Sequence, residues 1–342
     1  MAGTYETDFV DHANRVRDVR TKAIEQYSMD APVTSMLPKG PGPQSSTPEW
    51  GVKTYNNART TGVAEGSAGT SQSNTNNTKF LKGRYQKMDR NPEVTKESKL
   101  LVRQYTEKKN VFESNAADCF TELTVDIEAT VLSDNESVPA DNSDLDNKVA
   151  SKTRGILRWL SNADGRFSDT ETTPHSTLRT KTNEIVASKT NATDVLESDI
   201  TGLVTAVATA RKKDGRTLVG VNTPAMAEVI DGYSIKTNAG EAFATFPVYG
   251  WEQKLGEINR EVKMIKTSLG RVALMVSFQL DSSVAHMVLL DREMAELQYA
   301  QKPMLVKDPN TTVREYGVLD VLFVNAVLNP QAHGKIIVGS TK

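Results

Sequence analysis

The sequence lacks the features that mark secreted, membrane-bound and strongly nucleic-acid-binding proteins. Its 342 residues contain one cysteine, Cys119, so no disulfide framework can form and synthesis in a reducing compartment is expected. No apolar run reaches the roughly 18 residues of a membrane-spanning helix, and residues 1–10 carry Glu6 and Asp8 instead of an export signal. The 41 basic and 43 acidic residues are well mixed and give a formal charge of −2. We therefore expect no membrane association and only weak, non-specific contact with nucleic acid.

The side chains that most enzymes need are scattered or missing. The four histidines, His12, His175, His286 and His333, show no metal-ligand spacing. The glycines at positions 40 and 42 alternate with prolines, which cannot donate hydrogen bonds to a phosphate, and no G-x-S-x-G motif occurs. His286 lies in an apolar strand-like run, where a histidine packed in the core is commoner than a general base. The sequence predicts a protein that is not an enzyme and has no cofactor or metal.

The most regular pattern lies at residues 108–134 and predicts one long amphipathic helix. Apolar side chains recur there every three or four residues, which places them on one stripe of a helix with about 3.6 residues per turn. The members of this stripe are Phe112, Ala116, Phe120, Leu123, Ile127 and Val131. Polar residues occupy the other side, and at about 1.5 Å per residue the helix would be roughly 40 Å long. A strand in the last, β-branched turns is the alternative.

Two strand-like runs, at residues 46–55 and 80–88, predict a long antiparallel hairpin. The first places Trp50 on one side, and the second is rich in lysine and arginine. Between them, residues 56–79 are almost entirely Asn, Thr, Ser, Gly and Ala, which cannot build a core. Because an isolated two-stranded hairpin is marginal in water, a projecting hairpin indicates a partner surface. A disordered linker between domains is the alternative.

The N-terminal region is poor in large apolar residues and rich in proline. A helical candidate at residues 7–26 is followed by prolines at positions 32, 38, 41 and 43, which hold the chain extended. This pattern predicts an arm that lies on another surface.

The second half of the chain mixes helices with strands, so the sequence predicts an α+β fold. We expect a helix capped by Ser198, a strand at residues 217–221, and a helix capped by Asn222 or Thr223 that runs to Ile230. A shorter helix is expected within residues 148–160. Further strands are predicted at residues 262–267, 271–280, 284–290, 295–299, 313–328 and 335–338.

Several runs, in a fixed order along the chain, resemble a known family of coat proteins. They are Pro-Val-Thr-Ser-Met-Leu-Pro-Lys-Gly at residues 32–40, Glu-Trp at 49–50, the helix end at 122–132, Thr-Arg-Gly-Ile-Leu at 153–157, and the span 315–339. Together with the order of the elements, these runs resemble the major capsid protein of tailed bacteriophages, which has the Hong Kong 97-type fold. The resemblance covers nearly the whole chain.

The resemblance implies a division of the chain into an arm, a loop and two interleaved domains. The implied parts are an N-terminal arm at 1–45, an extended hairpin loop at 46–92, a peripheral domain with a spine helix at 93–193, an axial domain at 194–262, the return strands of the peripheral domain at 263–328 and a C-terminal axial strand at 329–342. Subunits of this kind would form pentamers and hexamers that build the icosahedral head shell around phage double-stranded DNA, after assembly in the host cytoplasm.

In this reading the contacts between subunits come largely from the hairpin. The residues expected to make them are Trp50, Lys53, Tyr55, Phe80, Lys82, Arg84 and Tyr85. The expected partners are other copies of the chain, scaffolding, portal and decoration proteins, and packaged DNA. Two alternatives stay open at this point, a shell protein of a cellular compartment with the same fold and a soluble enzyme with an unrecognised site.

Overall fold

The computed structural model describes most of the chain in separate segments. They are residues 30–42, 44–55, 77–95, 111–144, 148–161, 164–179, 184–187, 195–212, 216–236, 249–250, 264–281, 285–308 and 314–338, with residues 60, 62 and 65. The predicted helix at 7–26, His12 and nearly all of the predicted hairpin tip lie outside the described residues.

Helices and strands alternate irregularly along these segments. The helices are α1 (Pro32–Met36), α2 (Val111–Val131), α3 (Ile156–Trp159), α4 (Glu197–Arg211) and α5 (Pro224–Lys236). The strands are β1 (Lys39–Gly40), β2 (Glu49–Lys53), β3 (Thr78–Lys82), β4 (Gln86–Arg90), β5 (Glu93–Thr95), β6 (Glu184–Ala187), β7 (Arg216–Asn222), β8 (Tyr249–Gly250), β9 (Met264–Thr267), β10 (Gly270–Val276), β11 (Met287–Leu290), β12 (Ala295–Lys307), β13 (Arg314–Val327) and β14 (Gly334–Val338).

Helix α2 confirms the predicted long helix and ends at Val131 instead of residue 134, while the predicted start at 108–110 lies outside the described residues. It has 21 residues, which corresponds to roughly 31 Å. The stripe is buried at Phe112, Leu123, Ile127 and Val131, whereas Phe120 is 48 % exposed, so the single subunit does not cover the whole stripe. Helix α1 packs against α2 at Glu128, about two turns after Phe120, and therefore does not bury Phe120.

One five-stranded sheet is built on the long antiparallel pair β12 and β13. Strand β1 adds in parallel to β12 at residues 297 and 298, and β4 and β5 pair with β13. The predicted single strand at 80–88 is wrong, because it divides into β3 and β4, which belong to different sheets. The break is at Gly83, where an added Cβ would lie 3.0 Å from Val324 Cγ1, so glycine lets the chain pass close to β13 without displacing this side chain.

A seven-stranded sheet has the order β6-β14-β11-β7-β10-β9-β8. Strands β10 and β7 run parallel, and β11 pairs with the other side of β7 in the antiparallel direction. The expected domain boundary between residues 262 and 263 does not separate the sheets, because β9, β10 and β11 pair into the same sheet as β7. Hydrogen bonding along β7 therefore ties residues after 263 to those before it.

Two hydrophobic clusters form the described core. One packs α1, α2 and α3 against the five-stranded sheet and also takes in Val221, Val288 and Leu290 from the seven-stranded sheet. The other lies between α4, α5 and the seven-stranded sheet, with Leu203, Val207 and other apolar side chains at its centre. The first cluster thus joins the two sheets.

The helix caps agree in part with the sequence. Helix α5 begins as predicted, because Thr223 Oγ1 accepts a hydrogen bond from Met226 N at 3.3 Å, but it extends to Lys236 instead of Ile230. Helix α4 begins at Glu197 with Leu196 as its cap residue, so the predicted Ser198 cap is wrong. Asp199 replaces it, since its carboxylate accepts from Leu196 N at 2.8 Å.

Candidate assembly surfaces

Strands β2 and β3 form a two-stranded antiparallel ribbon, and this ribbon is the described part of the predicted hairpin. The cross-strand pairs run from Glu49 and Lys82 to Lys53 and Thr78. Because side chains alternate along a strand, the ribbon has one face towards its own chain and one face away from it.

The inner face is held by Trp50 and Leu81, which lie opposite each other. The Trp50 indole Nε1 donates to Val327 O at 3.0 Å, and its ring centroid is 5.8 Å from that of Trp159. Leu81 is buried in the first hydrophobic cluster. Trp50 therefore fixes the base of the ribbon on its own subunit.

The outer face exposes two aromatic rings among lysines. Phe80 is 61 % exposed and Tyr55, just beyond the end of β2, is 83 % exposed. Lys53 Nζ lies 5.4 Å from the Tyr55 ring centroid, and Lys82 Nζ lies 2.8 Å from Glu49 Oε1. Large exposed apolar side chains that cluster in this way are typical of protein contact surfaces.

The Arg84 side chain makes its contacts within its own subunit. Its Nε donates to Asp169 Oδ2 at 2.7 Å, and its Nη2 contacts Glu171 Oε2. Burial alone would raise the pKa of Asp169, but hydrogen bonds from Arg84, Thr172 and Ser137 together outweigh it and lower the pKa to about 2. Arg84 therefore holds the link from β3 to β4 onto the 164–179 segment.

The structure separates the seven predicted contact residues into two groups. Lys53, Tyr55, Phe80 and Lys82 share the outer part of the ribbon, where a partner can reach them. Trp50 and Arg84 contact their own chain, and Tyr85 is half-buried in the link between β3 and β4. The alternation of side chains in the predicted strand could have assigned Trp50 to the inner face.

The exposed side of α2 is a second candidate surface, which the sequence analysis missed. The helix has carboxylates at five positions and no lysine or arginine. Arg90 of β4 engages Asp126 at 2.7 Å and Glu122 at 3.2 Å. Glu113, about two turns before Phe120, stays exposed on the same side of the helix, whereas the exposed Asp118 lies on the opposite side. An exposed aromatic ring, with the carboxylate of Glu113 two turns before it, thus faces outwards on this helix.

The fifth carboxylate of α2, Glu128, is fully buried and fixes the path of the N-terminal region. Its oxygens accept hydrogen bonds from Val33 N at 3.1 Å, Thr34 N at 2.6 Å and Ser277 Oγ at 3.2 Å. A carboxylate at the first turn of a helix is favourable, because the amide groups there have no helical partner. Residues 30–42 of the predicted arm therefore pack on their own chain, and residues 1–29 of that arm lie outside the described residues.

A buried polar network supports the base of the ribbon. Arg154 is 1 % exposed, donates from Nη2 to Glu136 Oε1 at 2.6 Å and from Nη1 to Thr172 O at 2.8 Å. Its guanidinium lies 4.6 Å from the ring centroid of Trp159, the partner of Trp50. Burial lowers the pKa of Arg154, and the charge of Glu136 offsets part of this shift. The contacts from Trp50 to Trp159 and from Trp159 to Arg154 connect the ribbon to the interior.

The described residues contain no grouping of three or more His, Cys, Asp or Glu side chains that could hold a metal ion. His286 is half-buried, and burial lowers its pKa. Across the described segments, no helix combines the length and apolar character needed to cross a membrane.

Comparison with protein families gives one match over nearly the whole chain. The model of the family described as SU10 major capsid protein matches residues 2–340. A search of the curated proteins found no significant match.

Solved capsid structures share the fold at low sequence identity. The cyanophage A-1(L) capsid matches with a TM-score of 0.62 and 12 % identity, covering 98 % of this chain and 99 % of that one. The capsid of the native GTA particle matches with a TM-score of 0.61 and 10 % identity, covering 99 % and 100 %. The capsid of cyanophage P-SCSP1u matches with a TM-score of 0.58 and 10 % identity, covering 95 % and 93 %. The likeness is consistent with the Hong Kong 97-type fold that the sequence predicts.

Proposed function

The chain belongs to the SU10 major capsid protein family, and from this premise we propose that it closes into pentamers and hexamers that form an icosahedral head shell around phage double-stranded DNA. As a member of this family it is a structural component of the virion, not an enzyme. Heterologous contacts between identical subunits close into rings when the rotation between neighbours allows it. The family match favours a virion over the shell of a cellular compartment.

The two sheets supply the two domains of this proposal. The five-stranded sheet with α2 corresponds to the peripheral domain, and the seven-stranded sheet with α4 and α5 corresponds to the axial domain near the centre of each ring. The pairing of β9, β10 and β11 with β7 supports placing residues 264–290 in the axial domain. This revises the division drawn from the sequence.

We infer that the ribbon of one subunit lies on the exposed side of α2 in the next subunit. The ribbon offers Phe80 and Tyr55 among lysines, and α2 offers Phe120 with the carboxylate of Glu113 on the same side. Opposite charges around apolar rings give both attraction and a fixed register at an interface. The observation that carries this proposal is the exposure of Phe80 and Tyr55 on a ribbon whose base is fixed by Trp50.

Other partners follow from the same function. The mixed surface charge suits an inner wall that tolerates packaged DNA through weak, non-specific contact. Scaffolding, portal and decoration proteins are proposed as assembly partners. A scaffolding protein would set the size of the head, a portal protein would form the entrance for DNA, and a decoration protein would support the shell from outside.

Electron microscopy and sedimentation of the protein expressed alone test the shell proposal directly. Closed shells, or rings with five-fold and six-fold symmetry, are the expected products. If the protein stays monomeric at high concentration, co-expression with the scaffolding protein of the same genome should produce shells. A monomer under both conditions contradicts the proposal.

The docking of ribbon on helix has a sharper test with a matched control. Phe120→Ala and Phe80→Ala should each reduce assembly at least tenfold, because exposed rings at the centre of an interface contribute most of its energy. Phe278→Ala makes the same change at a phenylalanine that is 78 % exposed in a loop outside both surfaces. Equal losses for all three variants, or none for the first two, would reject the docking while leaving the shell proposal intact.

A further inference from the structure

Two chain crossovers between the sheets meet at one buried histidine. Residues 291–294 lead from β11 in the seven-stranded sheet to β12 in the five-stranded sheet, and residues 328–333 lead back from β13 to β14. His333 is fully buried at this meeting point. Leu328 N also donates to Met294 O at 2.9 Å, so the two crossovers are bonded to each other.

The hydrogen bonds of His333 define its tautomer. Its Nδ1 accepts from the backbone N–H of Asp291 at 3.1 Å, so the ring hydrogen lies on Nε2, which donates to Met294 O at 3.1 Å. A neutral imidazole has one acceptor and one donor, and both are used here. An imidazolium has two donors, so its Nδ1–H would point at the N–H of Asp291, and that bond would be lost.

Two charged groups of the described residues act on the ring, those of Asp291 and Arg211, and Lys335 lies two positions further along the chain. The Asp291 carboxylate favours a protonated ring, but it is paired with Arg211 of α4 and accepts from Glu293 N at 3.1 Å. Lys335 directs its Nζ to Leu157 O at 2.9 Å. Burial dominates and lowers the pKa of His333 to about 4, partly opposed by the bond to Met294 and the charge of Asp291.

We propose that His333 is an acid-sensitive clasp, which joins the two crossovers while it is neutral and opens them when it is protonated. Strands β12 and β13 stay in one sheet, and β11 and β14 stay in the other, whether the clasp is closed or open. Opening therefore loosens the joint between the sheets without unpairing either of them. At neutral pH the clasp is closed, and acid releases it.

Hydrogen exchange on the full chain, read at the backbone amides of the crossovers, 291–294 and 328–333, tests the clasp. After correction for intrinsic exchange, protection in wild type should fall by up to about tenfold per pH unit below pH 6.5, and by roughly 150-fold at pH 4. His333→Asn keeps an acceptor near the Nδ1 position but does not titrate, so its protection should be independent of pH. His175→Asn, at an exposed histidine where asparagine can still cap the turn, should behave as wild type.

The same pH dependence in His333→Asn, or unchanged protection of wild type down to pH 4, would overturn the proposal.

A second measurement serves if His333→Asn does not fold. Nitrogen-15 NMR of wild type labelled at its four histidines should show one ring in the Nε2–H tautomer down to about pH 4. A ring at this position that carries hydrogen on Nδ1 at pH 7 would equally refute the clasp. Both measurements use unassembled subunits, so their outcome is independent of shell formation.

Discussion

The two faces of the β2–β3 ribbon use the same kinds of side chain for different purposes. On the inner face, Trp50 reaches Val327 and Trp159, and Leu81 is buried. On the outer face, Phe80 and Tyr55 stay exposed. A subunit that only had to fold would have no reason to expose these rings, since burying an aromatic side chain stabilises the folded state by about 2 kcal/mol or more.

The comparison shows that one face of this short ribbon stabilises the folded subunit and that the other is available for contacts between subunits. Changes on the inner face and beneath it should lower the free energy of unfolding of the single subunit. Changes on the outer face should leave that quantity unaltered and act only when subunits meet. The four predictions below test this division in order of decreasing effect on subunit stability.

Arg154→Met should have the largest effect, a loss of about 3–5 kcal/mol in the free energy of unfolding, because it leaves the largely buried Glu136 with only the longer contact to Arg158 at 3.8 Å and removes the donor to Thr172 O. Urea unfolding of unassembled subunits, followed by circular dichroism, measures it. Arg314→Met is the matched control, since Arg314 pairs with Glu93 on the exposed surface and its loss should barely move the unfolding midpoint. Similar midpoints for both variants would show that the network does not support the ribbon.

Trp50→Ala should cost about 3 kcal/mol, because it removes a packed ring and leaves Val327 O without its donor. Tyr55→Ala removes an aromatic ring from the outer part of the same ribbon and should not change the unfolding midpoint. The two variants should nevertheless both impair assembly. If Tyr55→Ala destabilised the subunit as much as Trp50→Ala, the division between the faces would be wrong.

Low pH should destabilise the subunit on the inner side of the ribbon, because it protonates Asp169. Its pKa is lowered, so the ionised carboxylate contributes stability above its unfolded pKa near 3.8, and that stability is lost as the pH falls towards 2. The expected loss is about 2 kcal/mol in urea titrations between pH 4 and pH 2. Asp169→Asn should be less stable at neutral pH and should lack this slope. A slope that survives the substitution would assign the acid sensitivity to other carboxylates.

The local patterns in the sequence predicted those parts of this comparison that depend on neighbouring residues. The 3.6-residue period predicted α2, and the alternation in the 46–55 run predicted β2, because both depend on side chains a few positions apart. The expectation that a projecting hairpin marks a partner surface agrees with the exposed outer face and stays a prediction until assembly is measured.

Contacts between distant residues could not be predicted in the same way. Arg84 lies on the inner side because Asp169, 85 positions further on, accepts from it. The break at Gly83 depends on Val324, and the exposure of Phe120 depends on where α1 ends its cover of α2. The runs that carried the family resemblance meet in the structure, where Asn325 bonds Thr153 and Arg154 and Trp50 bonds Val327. The order of these runs could be read from the sequence, but the contacts between them could not.

Lys53→Glu should have the smallest effect on the subunit and a distinctive effect on assembly. The unfolding midpoint should stay that of wild type, because Lys53 is exposed and its described contact is the ring of Tyr55. In wild type, salt should weaken assembly by screening the attraction between the ribbon and the carboxylates of α2. In the variant, salt should strengthen assembly, because it screens a repulsion, and Glu113→Lys in the same chain should restore the wild-type sign. Light scattering from about 50 mM to 500 mM salt measures both slopes. An identical slope in the two proteins would place the partner of the ribbon somewhere other than α2, while the stability data would still separate its two faces.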